Sequence, residues 1–159
     1  MNENSLDGID LKLLDQLQID ASHTNQQLAA NLGISPPTCL RRVQRLRILG
    51  LIEREIAILS PTRMAAVQGH GLEAVVEVSL DRQDDAAMQT FEDQVVADTA
   101  VQQCYRVSPG PDFVLIVAVR DMPSYLALAQ RLFNADANVR NVKAFFSVKR
   151  SKFAPRVPI

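Results

Sequence analysis

Residues 29 to 47 hold the side chains best suited to chemistry on a polyanion. In a helix opening after Ser35, a step of about 100° per residue gathers Thr38, Arg41, Arg42 and Arg45 on one side. Pro36, Cys39, Val43 and Leu46 fall on the other. Guanidinium groups pair with phosphate and, bidentately, with guanine O6 and N7. A solvated surface helix instead alternates acids with bases at i,i+4. Between Asp20 and Glu53 there is no acid at all, although the whole chain carries a formal net charge of −1. Positive charge is therefore concentrated on this stretch, and the set Ser35, Pro37, Thr38, Arg41, Arg42 and Arg45 is expected to contact double-stranded DNA. Arg47 lies nearer the apolar side, where it suits the helix C-terminal dipole with its stem on the core.

The elements that must position these residues are three short helices. Leu6, Ile9, Leu13 and Leu17 recur at steps of three and four, Leu11 and Leu14 widen the stripe, and Asp7 is a cap for the first helix. Thr24 with Gln27 three residues on is a capping-box pair ahead of Leu28, Ala29 and Leu32, and Gly33 stops that second helix. Ser35 with Pro36 is a cap plus first-turn proline, opening a third helix to about Leu49 before Gly50. Ala29, Gly33 and the new start at Ser35 have helix-turn-helix spacing, since close crossing needs a small residue and the turn favours glycine. Residues 53–59 read as a strand, and Ser60-Pro61 as a hinge.

From Gly71 the period becomes two. Ala74, Val76, Val78 and Leu80 point one way and Glu77 and Ser79 the other, a half-buried strand. A helix follows with Ala87 or Met88, Phe91 and Val95 at helical spacing, then a strand over residues 101–107. The turn Ser108-Pro-Gly-Pro-Asp112 leads into an apolar strand over 113–119, so the two strands form a hairpin. Asp121 caps another helix with Pro123 in its first turn and Leu126, Ala129, Leu132 and Phe133 on its buried face. Residues 139–149 close the order as a strand. The fold class expected is α+β: a helix-turn-helix domain (1–54), a linking strand and hinge (55–70), and a ferredoxin-like βαββαβ domain (71–159) for oligomerisation and effector binding. Val142, Ala144, Phe145 and Phe146 make the last strand apolar on both faces. The free face of the sheet is thus expected to be covered by a second copy, most simply as a two-fold dimer.

A hydrophobic fraction of 47% is that of a folded domain protein. No apolar run approaches the roughly 20 residues that span a bilayer, and the start of the chain is polar and acidic rather than a signal peptide. Cys39 and Cys104 stand apart without a CxxC or Cys/His cluster, which fits free thiols in a reducing, cytoplasmic setting rather than a zinc site or disulfide framework. Neither a Ser/His/Asp order, a paired-carboxylate motif nor a Gly-rich phosphate loop is visible. No cofactor, metal or catalytic residue is expected, and His23 and His70 read as exposed histidines.

Together, Leu6-Asp-Gly-Ile-Asp10, Leu28-Ala29, the run Gly33-Ile-Ser-Pro-Pro-Thr-Cys-Leu-Arg-Arg-Val43, Arg45-Leu46 and Gly50-Leu-Ile52 resemble the leucine-responsive regulatory protein/AsnC family of transcriptional regulators. The resemblance covers nearly the whole chain. It implies a dimer formed through the sheets, dimers assembled into octamers, and an amino acid or related metabolite as effector. It also implies an effector loop of the pattern Thr-Gly-x-x-Asp-aromatic between the second and third strands. Residues 107–113 stand there, with Ser108, Gly110 and Asp112 as the expected effector contacts. Pro109 replaces the usual glycine, removing an amide donor and fixing φ. Read from the residues alone, the same loop is a plain hairpin with Asp112 as its cap. Siroheme decarboxylase subunits are similar to this family in both domains and set an enzyme reading beside the regulator. The arginine face speaks for the regulator. A regulator without an effector is the third reading, which Pro109 keeps open.

Overall fold

The computed structural model describes residues 5–69 and 71–159. They form two compact units, the first comprising residues up to 58 together with 152–159, the second residues 59–151. His70 lies outside the described residues.

The first unit is a three-helix cluster whose ends are set by local hydrogen bonds. Helix α1 (Gly8–Ile19) opens on a reciprocal capping box. Asp7 accepts from the amides of Ile9 and Asp10, each at 2.9 Å, while the Asp7 amide donates to the Asp10 carboxylate at 3.1 Å. Helix α2 (Asn25–Leu32) repeats the device with Thr24 and Gln27, and ends at Gly33, whose φ of 65° is the left-handed conformation that glycine adopts without a Cβ penalty. Helix α3 (Pro36–Ile48) starts from Ser35, with prolines where the missing N–H is harmless. Leu13, Leu28, Ala29, Cys39, Val43 and Leu46 are buried together. Leu11, expected to widen the stripe, is exposed, while Leu14 and Leu17 pack against the cluster.

Residues 53–59 depart from expectation. They form no strand, and Ile56, Ile58 and Leu59 are exposed. A strand is stable only when its N–H and C=O groups find a partner, and none is offered among the described residues. The hinge at Ser60-Pro61 starts a helix instead, α4 (Pro61–Gln68), because Ser60 accepts from the Arg63 amide and Pro61 suits a first turn.

The second unit is a four-stranded antiparallel sheet in the order β2-β3-β1-β4. Its strands are β1 (Leu72–Leu80), β2 (Val101–Arg106), β3 (Phe113–Val119) and β4 (Val139–Phe146), with α5 (Asp85–Val96) and α6 (Met122–Ala129) completing the βαββαβ order. One face buries Ala74, Val76, Val78, Leu80, Phe113, Leu115 and Val117 against Phe91, Val95, Leu128, Leu132 and Phe133. Each fully buried Leu, Val or Phe contributes about 1.5–3 kcal/mol by leaving water. Phe91 and Phe113 sit 4.9 Å apart, and Tyr125 meets Phe146 edge-on at the same distance.

Two boundaries differ from the sequence reading. Strand β4 stops at Phe146 rather than 149, because β1 offers partners only as far as Ala74 opposite Phe146, with one further bond from the Ser147 amide to the Glu73 carbonyl at 2.8 Å. On α6, Leu126 is 61% exposed, and Tyr125 and Leu128 are buried in its place. A π-helical turn, Gln130–Asn134, then brings Leu132 and Phe133 onto the core side together.

Candidate nucleic-acid interface and ligand loop

Helix α3 has three faces rather than two. Cys39, Val43 and Leu46 are buried, Arg42 and Arg45 flank them, and Pro37, Leu40, Arg41, Gln44 and Ile48 form the exposed stripe. The flanking arginines are held by acids from α1. Asp10, only 1% exposed, accepts from Arg42 Nη1 at 2.8 Å through one oxygen and from Arg45 Nη2 at 2.6 Å through the other. Arg42 Nη1 also donates to Asp7 at 2.8 Å. These arginine side chains are 22% and 38% exposed.

The acid-free window from residue 21 to 52 is real along the chain but not in space, where α1 supplies Asp7 and Asp10. Arg42 and Arg45, expected from the sequence to contact DNA, tie α3 to α1. Charge-assisted bonds of this geometry are among the stronger ones. The Asp7 carboxyl is held down at about 2, first by the Asp10 backbone N–H and next by the Arg42 guanidinium, while the two carboxylates raise Arg42.

Arg41 behaves differently. It is exposed on the stripe facing away from the core, with no acidic partner among the described residues. Gln44, which the sequence reading passed over, lies one turn on from Arg41 on the same stripe; a side-chain amide there has the donor–acceptor pair that matches adenine N6 and N7. Its signal was available, since Pro37, Arg41, Gln44 and Ile48 are spaced by three and four. Ser35 and Thr38 share a 2.8 Å hydroxyl contact at the start of α3, and Ser35 accepts from the Thr38 amide at 3.4 Å. Arg47, expected to serve the helix C-terminus, donates to Glu55 at 2.5 Å.

In the second unit the loop between β2 and β3 presents Ser108 and Gly110 to solvent, with Gly110 at φ 128° and the Ser108–Pro109 peptide cis. Asp112 anchors the loop. Its carboxylate accepts from the Leu80 amide at 2.6 Å, its own amide donates to the Val78 carbonyl at 2.9 Å, and its carbonyl accepts from the Val107 amide at 3.1 Å. At least one carboxylate oxygen is thus committed to the fold. Beneath the loop, Arg106 pairs with Glu92, donates to Gln89 at 3.0 Å and lies over the Phe113 ring. A cavity of about 300 Å³ opens elsewhere, between α4 and the end of β3, lined by Pro61, Met64, Gln68, Val119 and Arg120 and by no residue of the loop.

His23 hydrogen-bonds the Asp20 carbonyl at 3.0 Å in the α1–α2 turn. Cys39 and Cys104 are free thiols, both pushed up by burial. No helix among the described residues is long and apolar enough to cross a membrane.

Taken together, an N-terminal helix-turn-helix and a C-terminal α+β domain define a two-domain transcriptional regulator. Residues 6–47 match the AsnC-type helix-turn-helix domain and residues 73–157 the Lrp/AsnC ligand binding domain. The chain belongs to the Lrp/AsnC family of transcriptional regulators. It is 34% identical to the leucine-responsive regulatory protein of Rhizobium meliloti over 97% of this chain and 96% of that one. Identity to the Escherichia coli leucine-responsive regulatory protein is 30%, over 97% and 92%. Among solved structures, an AsnC family regulator from Agrobacterium tumefaciens aligns with a TM-score of 0.84 at 27% identity, covering 96% of this chain and 97% of that one. A Neisseria meningitidis regulator solved as a complex with L-Met aligns equally well, at 27% identity over 97% of both chains.

Proposed function

We propose that the first unit reads operator DNA through the exposed stripe of α3, with Arg41 and Gln44 at base edges and phosphate and with Ser35, Pro37 and Thr38 at its leading end. Arg42 and Arg45 act from behind, holding α3 in register with α1. The observation that carries this division is the Asp10 carboxylate bridging both flanking arginines while Arg41 stands clear. Arg41→Ala and Arg42→Ala separate the roles. The first weakens operator binding, by about 1–3 kcal/mol if it reads a guanine, and leaves the melting curve in place; the second lowers stability. Unchanged affinity in Arg41→Ala, at a stated salt concentration, removes the stripe from the interface.

The second unit senses an amino acid at the 108–112 loop, through Ser108, Gly110 and Asp112. The complex of the structurally similar Neisseria protein with L-Met supports this class of ligand. Pro109 alters which amides can cradle a carboxylate, so selectivity is expected to be this chain's own. Thermal-shift screening against the twenty amino acids tests it, because a ligand at 100 times its Kd stabilises by about 2.7 kcal/mol. No shift with any of them leaves a regulator that responds through its own concentration.

The protein works as a homodimer, with dimers assembling to an octamer as the family resemblance implies. Supporting the dimer is the sheet face opposite the helices. Val75 lies opposite both Ile116 and Phe145, and Tyr105 opposite Val114, so these residues share that face. Phe145 is 54% exposed on it, and a second copy is the natural cover. Sedimentation of the full chain as a monomer overturns this. The same reading makes the protein cytoplasmic and not an enzyme; a Soret band in purified protein would revive the tetrapyrrole alternative.

A further inference from the structure

The C-terminal segment carries a charge pattern that the recognition helix does not account for. After Asp136 no acid occurs to the end of the chain, while Lys149, Arg150, Lys152 and Arg156 follow in close succession in a protein of net charge −1. Residues 152–159 belong to the compact unit that contains the helix-turn-helix. They are held there by specific bonds. Gln18 on α1 clamps the Val157 peptide from both sides, its Nε2 donating to the carbonyl at 3.0 Å and its Oε1 accepting from the amide at 2.9 Å. Arg156 donates to Asp15, one turn back on α1, at 3.1 Å. At Pro155 the chain is bent by a bond from the Arg156 amide to the Ala154 carbonyl at 2.9 Å, a γ-turn that suits proline's fixed φ.

A tail docked through its backbone keeps its long side chains available. Lys149 and Lys152 are exposed, and no acid among the described residues pairs with either. We propose that this segment is a second phosphate-binding element, docked on α1 so that Lys152 neutralises DNA backbone charge alongside the recognition helix. It rests on the DNA-binding reading and adds to it a contact that positions without reading sequence. A polyanion is favoured over an acidic protein because the segment is fastened to the unit built to meet DNA.

Counterion release makes the proposal measurable. Each phosphate neutralised adds about 0.9 to the slope of log K against log salt, so removing one contact spares about 3.5-fold of the affinity lost between about 50 and 200 mM salt. In the full chain, Lys152→Gln is expected to flatten the slope on a short random-sequence duplex by about 0.9, a difference of about 3.5-fold over that range. Gln18→Ala, which removes no charge, is expected to flatten it too by freeing the tail, with the main thermal transition in place. A wild-type slope in Lys152→Gln overturns the proposal while leaving the recognition helix intact. Flattening by Lys152→Gln but not by Gln18→Ala overturns the docking on α1. If the wild type binds no duplex at all, both this inference and the DNA-binding reading fall, and Arg41→Ala then has nothing to weaken.

Discussion

Removing the Asp10 charge is the sharpest test of how the DNA-binding unit is held together. Asp10→Asn keeps the size of the side chain and one acceptor oxygen, but presents an NH2 group to guanidinium donors 2.6 to 2.8 Å away. Breaking a fully buried ion pair from one side costs about 3–5 kcal/mol, because the partner charge is left without compensation. Here the stranded cations have partial relief. Arg42 retains Asp7 at 2.8 Å, and Arg45 is 38% exposed and reaches water. The expected loss is therefore about 2–3 kcal/mol, a large share of what a small unit has in reserve.

Urea titration of the full chain followed by far-UV circular dichroism reads this loss as an earlier helical transition, and DNA affinity falls with the folded fraction. The opposite arrangement makes a distinct prediction. If Arg42 and Arg45 were chiefly DNA contacts held back by Asp10, the same substitution would leave the urea midpoint in place and strengthen binding by releasing two cations. A midpoint unchanged within about 0.5 kcal/mol, with tighter DNA binding, refutes the assignment of these arginines to the fold.

Acid sensitivity should trace to Asp7, whose folded-state value of about 2 lies below the ordinary 3.8. Its contribution is complete above the unfolded value and lost as pH falls from about 4 toward 2, so Asp7→Asn should flatten the stability profile over that window, measured by thermal melts at stepped pH. Gln44→Ala should relax preference at one base pair by about 1–3 kcal/mol in a selection from random duplexes, with the salt slope unchanged; a uniform loss across sequences would place Gln44 on the backbone instead. At the ligand loop, Asp112→Ala should destabilise the second unit by about 1–3 kcal/mol through the orphaned Leu80 amide, whereas Asp112→Asn keeps an oxygen for that amide and isolates the charge. Loss of ligand affinity by about 1.5–3 kcal/mol in Asp112→Asn, read by calorimetry, is the expected result, and unchanged affinity removes Asp112 from the effector site.

What could be read along the chain was whatever depends on neighbours in sequence. Asp7, Thr24 with Gln27, Ser35 and Asp121 all cap where their residue types said they would, since a cap needs only a side-chain oxygen and an amide two or three residues on. The ion pairs behind the arginine face were not legible because the acids lie 32 and 35 residues away in sequence. Two signals point to them. At about 100° per residue, Arg42 falls only about 65° from the centre of the buried stripe, whereas Arg41 lies nearly opposite. Asp10, in turn, sits between Leu6 and Leu13 on the apolar stripe of α1, and a carboxylate in such a place requires a cation. The π-helical turn after α6 left no local mark, so Leu126 was assigned the place that Tyr125 and Leu128 occupy.

The remaining disagreement has a different cause. Residues 53–59 carry strand composition without a strand, and the sheet face around Val75, Ile116 and Phe145 carries core composition without cover. Under the dimer reading, both are patterns written for a second copy of the chain. An exposed apolar face is costly in water and an extended segment orders as a strand only against a partner, and a two-fold related copy can supply a cover for the one and a partner for the other. Under the dimer reading, the sequence-level strand at 53–59 becomes ordered only on assembly. Protection of the Ile56 and Ile58 amides from hydrogen exchange should then rise with protein concentration, and exchange that is fast at every concentration would leave that segment a linker.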